Sequence, residues 1–435
     1  MSQKSWQETA REAQKLRDES LKRVPGVPSV PDQLPLDVTG VAETVLEHEG
    51  FSLTEMPPEN LITQLGRGHL TCVKVIEAFL RRAAVAQALT NCITELLPER
   101  ALARAEQLDL YYHEHHEPIG PLHGLPVSVK EHVGMKDLGV NAGFISWWNN
   151  KAKDDAHVLK ILWNAGCVFY ARTTQPQSLM HLETSNNLYG ETLNPFNRNL
   201  TPGGSSGGEG ALLGLHGSCL GIGSDIGGSI RSPASNCGLY GFRPSTYRVP
   251  WDGCMSTMMG EEQIVPVLGP LSTSLEGIKL FMKSVIVAKP WLNEPSLVPL
   301  PWRDTVDYFP ESKIRLGVMW HDGVVQPHPP IKRALKVLCE KFQSLNNVEV
   351  SEWKPYKHDW AWKIISSLYF CDGGAEEMAA IDASCEPLRP LTKFILKDNA
   401  NVKKLSVSEI WQWTEERERY RTEYAQLWNS RGVGQ

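Results

Sequence analysis

The sequence predicts an α/β fold. Three observations carry the prediction. Short branched and aromatic apolar runs alternate with helix-period segments, and 435 residues suffice for one large α/β domain with a substantial core. The third is residues 203–231, where eleven glycines and five serines in 29 residues are interrupted by Ala211, Leu212, Leu213, Leu215, Leu220 and Ile222. Those apolar residues exclude a solvated Gly/Ser linker and indicate buried, shaped backbone around which the chain is organised.

Trp6, Ala10, Ala13, Leu16 and Leu21 recur at helical spacing between charges of both signs, which predicts an amphipathic first helix. Its mixed polar face suits packing or a homodimer contact better than a membrane surface. The proline-rich residues 25–36 end it. A second helical region is predicted over residues 60–88, with Val73, Ile76, Phe79, Leu80 and Ala83 on one face. Residues 92–97 read as a strand and 98–112 as a helix. His113, His115 and His116 then stand beside Glu114 and Glu117 as a solvated loop rather than a metal site. Val127-Ser128-Val129-Lys130 reads as a short strand that delivers Lys130 at its C-terminal end.

Residues 155–165 are predicted helical with Gly166 as the cap, followed by a buried strand at 167–171. A helix at 209–215 and a strand at 218–222 lead to Asp225, and residues 237–244 close the core. Thr273-Ser274-Leu275-Glu276 has capping-box spacing and opens a helix to residue 287. Five prolines in residues 290–310 mark the best internal linker. Beyond it, strand, helix and strand are predicted over 314–320, 331–345 and 348–353. His328, in the loop between, is a candidate pocket residue, although a turn position is the simpler reading. A capping box from Ser406 to Glu409 opens a long helix with Ile410, Trp413, Tyr420, Tyr424 and Leu427 facing inward. The expectation is one domain: a helical arm at 1–60, a core at 61–290 and an α/β continuation at 291–435.

Two glycine clusters, Gly203/Gly204/Gly207/Gly208 and Gly221/Gly223/Gly227/Gly228, each hold serine where a hydroxyl can approach a ligand with no bulk beside it. Acyl transfer needs a nucleophile and N–H donors aimed at a developing oxyanion, and a Gly-Gly-Ser turn supplies both from consecutive residues. Ser229 is the candidate nucleophile, with the amides of Ile226, Gly227, Gly228 and Ser229 as the oxyanion hole. A lysine acting as base at neutral pH must be uncharged, and desolvation by Val127, Val129 and Val133 would lower the pKa of Lys130. Asp225 and Arg231 flank the nucleophile turn and are expected to be buried, holding it rigid. A phosphate loop fits poorly: Gly221-x-Gly223 lacks the third glycine, and the stretch has no Gly-Lys-Ser/Thr. Residues 203–207 fit G-x-S-x-G, but that elbow must follow a buried strand, and residues 194–202 are polar with two prolines.

Thr201-Pro-Gly-Gly-Ser-Ser-Gly-Gly208, Gly223-Ser-Asp-Ile-Gly-Gly-Ser-Ile-Arg231 and Cys237-Gly-Leu-Tyr-Gly-Phe-Arg-Pro244 together resemble the amidase signature family. Gly124-Leu-Pro-Val-Ser-Val-Lys130-Glu131 is similar to that family's lysine motif, and the similarity runs from about residue 61 to the end of the chain. The resemblance implies an α/β/α sandwich, a mixed central sheet covered by helices on both faces. It further implies a Ser-Ser-Lys triad: Ser229 the nucleophile, Ser205 the bridging serine reached through a cis peptide, Lys130 the base, with Gly204 and Ser206 in support. The serine separation, 229 − 205 = 24 residues, fits the family pattern, and Ser224 stands where threonine is common. In that family the equivalent of residues 183–190 lines the site. Residues 207–212 and 322–330 resemble the fungal acetamidase branch, implying hydrolysis of a small aliphatic amide such as acetamide. Fatty-acid amides and indoleacetamide are alternatives, since pocket walls outside the motifs set chain length. Against the family the chain looks shortened at its C-terminus, which keeps an inactive member among the readings.

A net charge of −6 without a basic block leaves nucleic-acid binding no electrostatic footprint. The charged N-terminus has no apolar signal core, and no window approaches about 18 uninterrupted apolar residues, so no membrane span is expected. Nine cysteines without a C-x-x-C pair read as reduced core thiols of a cytoplasmic protein. No cofactor or metal is expected, and the expected partner is a small-molecule amide. Three classes stand side by side: an amidase, an esterase using Ser205 through the elbow, and a catalytically silent binding or scaffold protein.

Overall fold

The computed structural model describes residues 4–304 and 314–431. The chain divides into two compact units, one built from Met1–Gly260, Val265–Trp302 and Glu376–Ile395, the other from Glu261–Ile264, Arg303–Ala375 and Leu396–Gln435.

The first unit holds strands β1 (Ile93–Leu96), β2 (Pro126–Lys130), β3 (Val168–Thr173), β4 (Ser185–Asn186), β5 (Gly190–Glu191), β6 (Leu220–Asp225), β7 (Tyr240–Gly241) and β8 (Val267–Ser272). Six of them form one sheet in the order β1-β3-β2-β6-β8-β7, while β4 and β5 make a separate hairpin. β2 runs parallel to both β3 and β6, and the outer pairings are antiparallel. The sheet is therefore mixed, as expected. β2, β3, β6 and β8 are buried at every position, the condition of strands covered on both faces.

Helix Cys72–Thr90 is buried around most of its circumference and packs on β3 and on helix Pro98–His115. It is separate from helix Pro58–Gly66, so the helical region expected over 60–88 holds two helices. The Thr71 side chain accepts from the Lys74 amide and starts the second, while Gly68, at φ +68°, turns the chain out of the first. Two short helices not anticipated, Val41–Val45 and His48–Thr54, precede them. In the first helix, Trp6–Lys22, Ala10 and Ala13 are buried as expected, but Leu16 is exposed. Ser20 takes a core position instead, its Oγ accepting from Leu96 N at 2.9 Å and tying the helix to β1.

Three further expectations are corrected. His113 and His115 lie in the last turn of helix Pro98–His115 and His116 caps it at φ 54°, so the run is helical and not a loop. Helix Leu275–Val287 is capped by Ser274, which accepts from Gly277 N at 3.0 Å, one residue later than the Thr273 box predicts. Cys385 is exposed and Cys371 half-buried, so not every thiol is a core thiol.

In the second unit, β9 (Ile314–Val318) and β10 (Val348–Glu352) pair in parallel with helix Pro329–Gln343 between them in the chain, the βαβ unit the sequence predicts. They pair only with each other among the described residues. His328 is exposed at the N-cap of that helix, a turn position. The capping box of Ser406 and Glu409 opens helix Val407–Ser430, whose Ile410, Trp413, Tyr420, Tyr424 and Leu427 share the half-buried face; no residue of this helix is fully buried. Among the described residues no helix is long and apolar enough to cross a membrane.

Helix Gly207–Gly214 lies so close to the end of β3 that a Cβ on Gly208 would meet the Thr174 amide nitrogen and, at 2.6 Å, Cys92 O. Gly208→Ala should therefore lower stability by about 1–3 kcal/mol, seen as a reduced urea midpoint at unchanged m-value.

Candidate active site

Parallel pairing brings the C-terminal ends of β2, β3 and β6 to one edge of the sheet, the usual place for a ligand crevice in such a fold. Lys130 stands opposite Thr173, and Ser128 and Val129 stand opposite Gly221 and Ile222, which sets Lys130 beside Ser224 and Asp225. The lysine is fully buried, as are Val127, Val129 and Val133 around it. Its Nζ lies within hydrogen-bond reach of Ser205 Oγ at 2.7 Å and of Ser224 Oγ at 2.9 Å. Burial pulls its pKa down to about 7, against the opposite pull of the Asp225 and Glu209 carboxylates.

Ser205 follows a cis peptide bond from Gly204 and is buried. Its turn is clasped to the Ser229 turn by the Ser206 amide, which donates to Ser229 O at 3.1 Å. Ser206 Oγ adds a second link, donating to Ser224 O and accepting from Ser224 N, both at 3.3 Å. Ser229 is 5% exposed. Among the described residues no hydrogen bond joins the Ser205 and Ser229 hydroxyls; what the fold brings together is the two turns.

Asp225 organises the Ser229 turn. Its Oδ1 accepts from Gly228 N at 2.8 Å and its Oδ2 from Ile230 N at 3.1 Å, while Arg231 donates from Nε at 3.0 Å and Nη2 at 2.9 Å. The Arg243 guanidinium adds an ion pair at 3.4 Å. Burial alone would raise the Asp225 pKa, but the Arg231 and amide hydrogen bonds outweigh it and hold the carboxylate below its ordinary value. Two expectations change here. Arg231 is half exposed, at 54%, so only the acid of this pair is buried. The Gly228 amide, at φ +129°, is engaged by Asp225 rather than free for an oxyanion, whereas the amides of Ile226, Gly227 and Ser229 carry no hydrogen bond among the described residues.

Glu131 does not pair with Lys130. It is buried and accepts from the Asn141 amide at 2.7 Å, the Ala142 amide at 3.2 Å and the Gln175 side chain. Glu209, equally buried, takes hydrogen bonds from Ser128 Oγ at 2.5 Å and Thr173 Oγ1 at 2.8 Å, and burial lifts its pKa to about 7. His132 lies in the turn that ends β2, its Nε2 2.9 Å from Ser224 Oγ and its Nδ1 3.1 Å from Met255 O. No strand precedes the Gly203–Gly207 stretch: residues 194–202 are irregular, so the G-x-S-x-G elbow has no support in the backbone.

The sequence pattern of the Amidase family matches residues 74–431. The chain belongs to the amidase family. It is 42% identical to an acetamidase of Emericella nidulans over 389 residues, which cover 88% of this chain and 70% of that protein. An acetamidase of Aspergillus oryzae is 40% identical over 389 residues, 88% of this chain and 71% of its own length. Among solved structures, a fatty acid amide hydrolase superposes with a TM-score of 0.92 at 34% identity, over 99% of this chain and 77% of that one. The protein is thus an amide-hydrolysing enzyme of α/β fold.

Within this amidase, sequence reasoning missed Glu209, Ser224 and His132 as neighbours of the lysine. Ser224 was visible only as a departure from threonine, and Glu209 only as a charge inside an otherwise apolar helix. A carboxylate in the run Gly208-Glu209-Gly210-Ala211-Leu212 was itself a signal, because a buried charge needs partners. His132 stands between Glu131 and Val133, directly after Lys130-Glu131, and no local pattern marked it for the interior.

Lys130 gives a stability signature with a definite sign. Its folded pKa of about 7 lies below the ordinary 10.5, so between those values the unfolded chain binds more protons and stability rises with pH. Lys130→Met should abolish that rise. Urea midpoints of the two proteins at about pH 7 and about pH 10 should converge at the higher pH, with the variant the more stable at the lower.

Proposed function

We propose that the enzyme hydrolyses a small aliphatic carboxamide, acetamide being the type case, to the acid and ammonia through an acyl-enzyme on Ser229. The carrying observation is a fully buried amine, Lys130, at 2.7 Å from Ser205 Oγ, on a turn clasped to the Ser229 turn. Neutral Lys130 takes the Ser205 proton while Ser205 takes that of Ser229, and Ser229 Oγ bonds to the carbonyl carbon. The oxyanion sits against the amides of Ile226, Gly227 and Ser229. As the C–N bond breaks, the proton returns through Ser205 to the nitrogen and ammonia leaves. Water then attacks the ester by the same proton path, releasing the acid and restoring Ser229.

The two acetamidase relatives support the small substrate. A second reading, a longer fatty-acid amide, is favoured by the likeness to fatty acid amide hydrolase over nearly the whole chain. A reducing, cytoplasmic compartment belongs to the same proposal, supported by nine cysteines that stand unpaired.

Ammonia release from acetamide, phenylacetamide and a long-chain amide separates the readings. Acetamide should give the highest kcat/KM, and a long-chain preference would replace the first reading with the second. Ser229→Ala should lower kcat by at least about a thousandfold, and Lys130→Ala by about a hundred- to ten-thousandfold. Undiminished turnover in Lys130→Ala would remove lysine from the mechanism. Because Lys130 must be unprotonated, kcat/KM should climb as pH rises through about 7 and then level off.

A further inference from the structure

Lys130 touches a hydroxyl the proton path above does not use, that of Ser224, and Ser224 in turn touches His132. The order of hydrogens along this line follows from which groups can donate. Met255 O, 3.1 Å from His132 Nδ1, can only accept, so the ring hydrogen is on Nδ1. The ring is fully buried beside Lys130, which holds it neutral, so Nε2 carries a lone pair. At 2.9 Å from Nε2, Ser224 Oγ must donate its single hydrogen there. Its oxygen is then left to accept an N–H from Lys130 Nζ at 2.9 Å.

A neutral amine has two hydrogens and one lone pair. With a hydrogen committed to Ser224, the lone pair is available to the Ser205 hydroxyl at 2.7 Å. We propose that His132 is a positioning residue: by taking the Ser224 hydrogen it prevents Ser224 from donating to Lys130, and so keeps the lysine lone pair directed at Ser205. Without an acceptor at position 132, the Ser224 hydroxyl can turn and compete with Ser205 for that lone pair. The ring is held for this role from several sides. The His132 amide donates to Gln175 Oε1 at 3.2 Å, its carbonyl accepts from Met255 N at 2.9 Å, and Trp251 packs beside it with ring centroids 5.9 Å apart. The inference rests on Lys130 being the base.

The test measures kcat and KM for amide hydrolysis in His132→Ala, His132→Phe, His132→Gln, Ser224→Ala and the His132→Ala/Ser224→Ala double variant, with Lys130→Ala as control and thermal melts to establish folding. His132→Phe fills the ring's volume without an acceptor and serves should alanine fail to fold. Both should lower kcat about ten- to a hundredfold, with KM within about threefold of the parent. Glutamine, able to donate to Met255 O and accept from Ser224, should recover most of the loss. The double variant should lose no more than His132→Ala alone, because no hydroxyl is left to cap the lysine. A folded His132→Phe or His132→Ala enzyme with parental kcat would overturn the inference, as would losses from His132 and Ser224 that simply multiply. Full activity in Lys130→Ala would overturn the lysine-base reading and this inference with it. An inactive Lys130→Ala beside a fully active His132 variant would overturn this inference alone.

Discussion

A primary amine taken entirely out of water is the constraint from which the site follows. Removing solvent disfavours the ammonium form, so Lys130 is stable in the interior only if its partners tolerate a neutral amine. Its hydrogen bonds go to two hydroxyls, Ser205 and Ser224, groups that can donate or accept as the protonation state requires. A carboxylate in their place would hold the lysine charged. The two nearby acids are aimed elsewhere: Glu209 by Ser128 and Thr173, Asp225 by the amides and guanidinium groups around it.

Asp225 meets the opposite demand. A carboxylate with no solvent exposure stays ionised because backbone N–H groups and Arg231 are turned onto it, and their convergence sets the conformation of the Ser229 turn. With those donors committed to Asp225, the remaining amides of the turn, Ile226, Gly227 and Ser229, are held in place without a hydrogen-bond partner among the described residues. The density of glycine in the same stretch follows from how closely the helix Gly207–Gly214 lies on β6. A Cβ on Gly221 would overlap the Glu209 carboxylate, and one on Gly223 would come within 2.8 Å of Ser206 Oγ.

The second unit is held differently. Its long helix Val407–Ser430 buries nothing completely, and Trp353 is the anchor, with Trp428 at 5.5 Å and Tyr424 at 5.8 Å between ring centroids and an indole hydrogen bond to the Tyr424 hydroxyl at 3.2 Å. Amphipathic rings of this kind bury area while keeping a polar tip satisfied, so a shallow layer can be stabilised without a deep core.

The alternation of strands and helices, the placement of Lys130 at a strand end and the glycine-serine turns were legible from residue order alone, because each depends on local periodicity or on residues that permit close approach. The position of Ser20 in the core and the exposure of Arg231 were decided by tertiary packing, since each turns on which neighbour competes for the same space or the same amide. The lysine's surroundings were decided the same way. Ser224 reaches its amine because parallel strands align their C-terminal ends, and a turn folds the His132 imidazole back onto Ser224. That alignment is a matter of register between segments nearly a hundred residues apart, which no local pattern encodes.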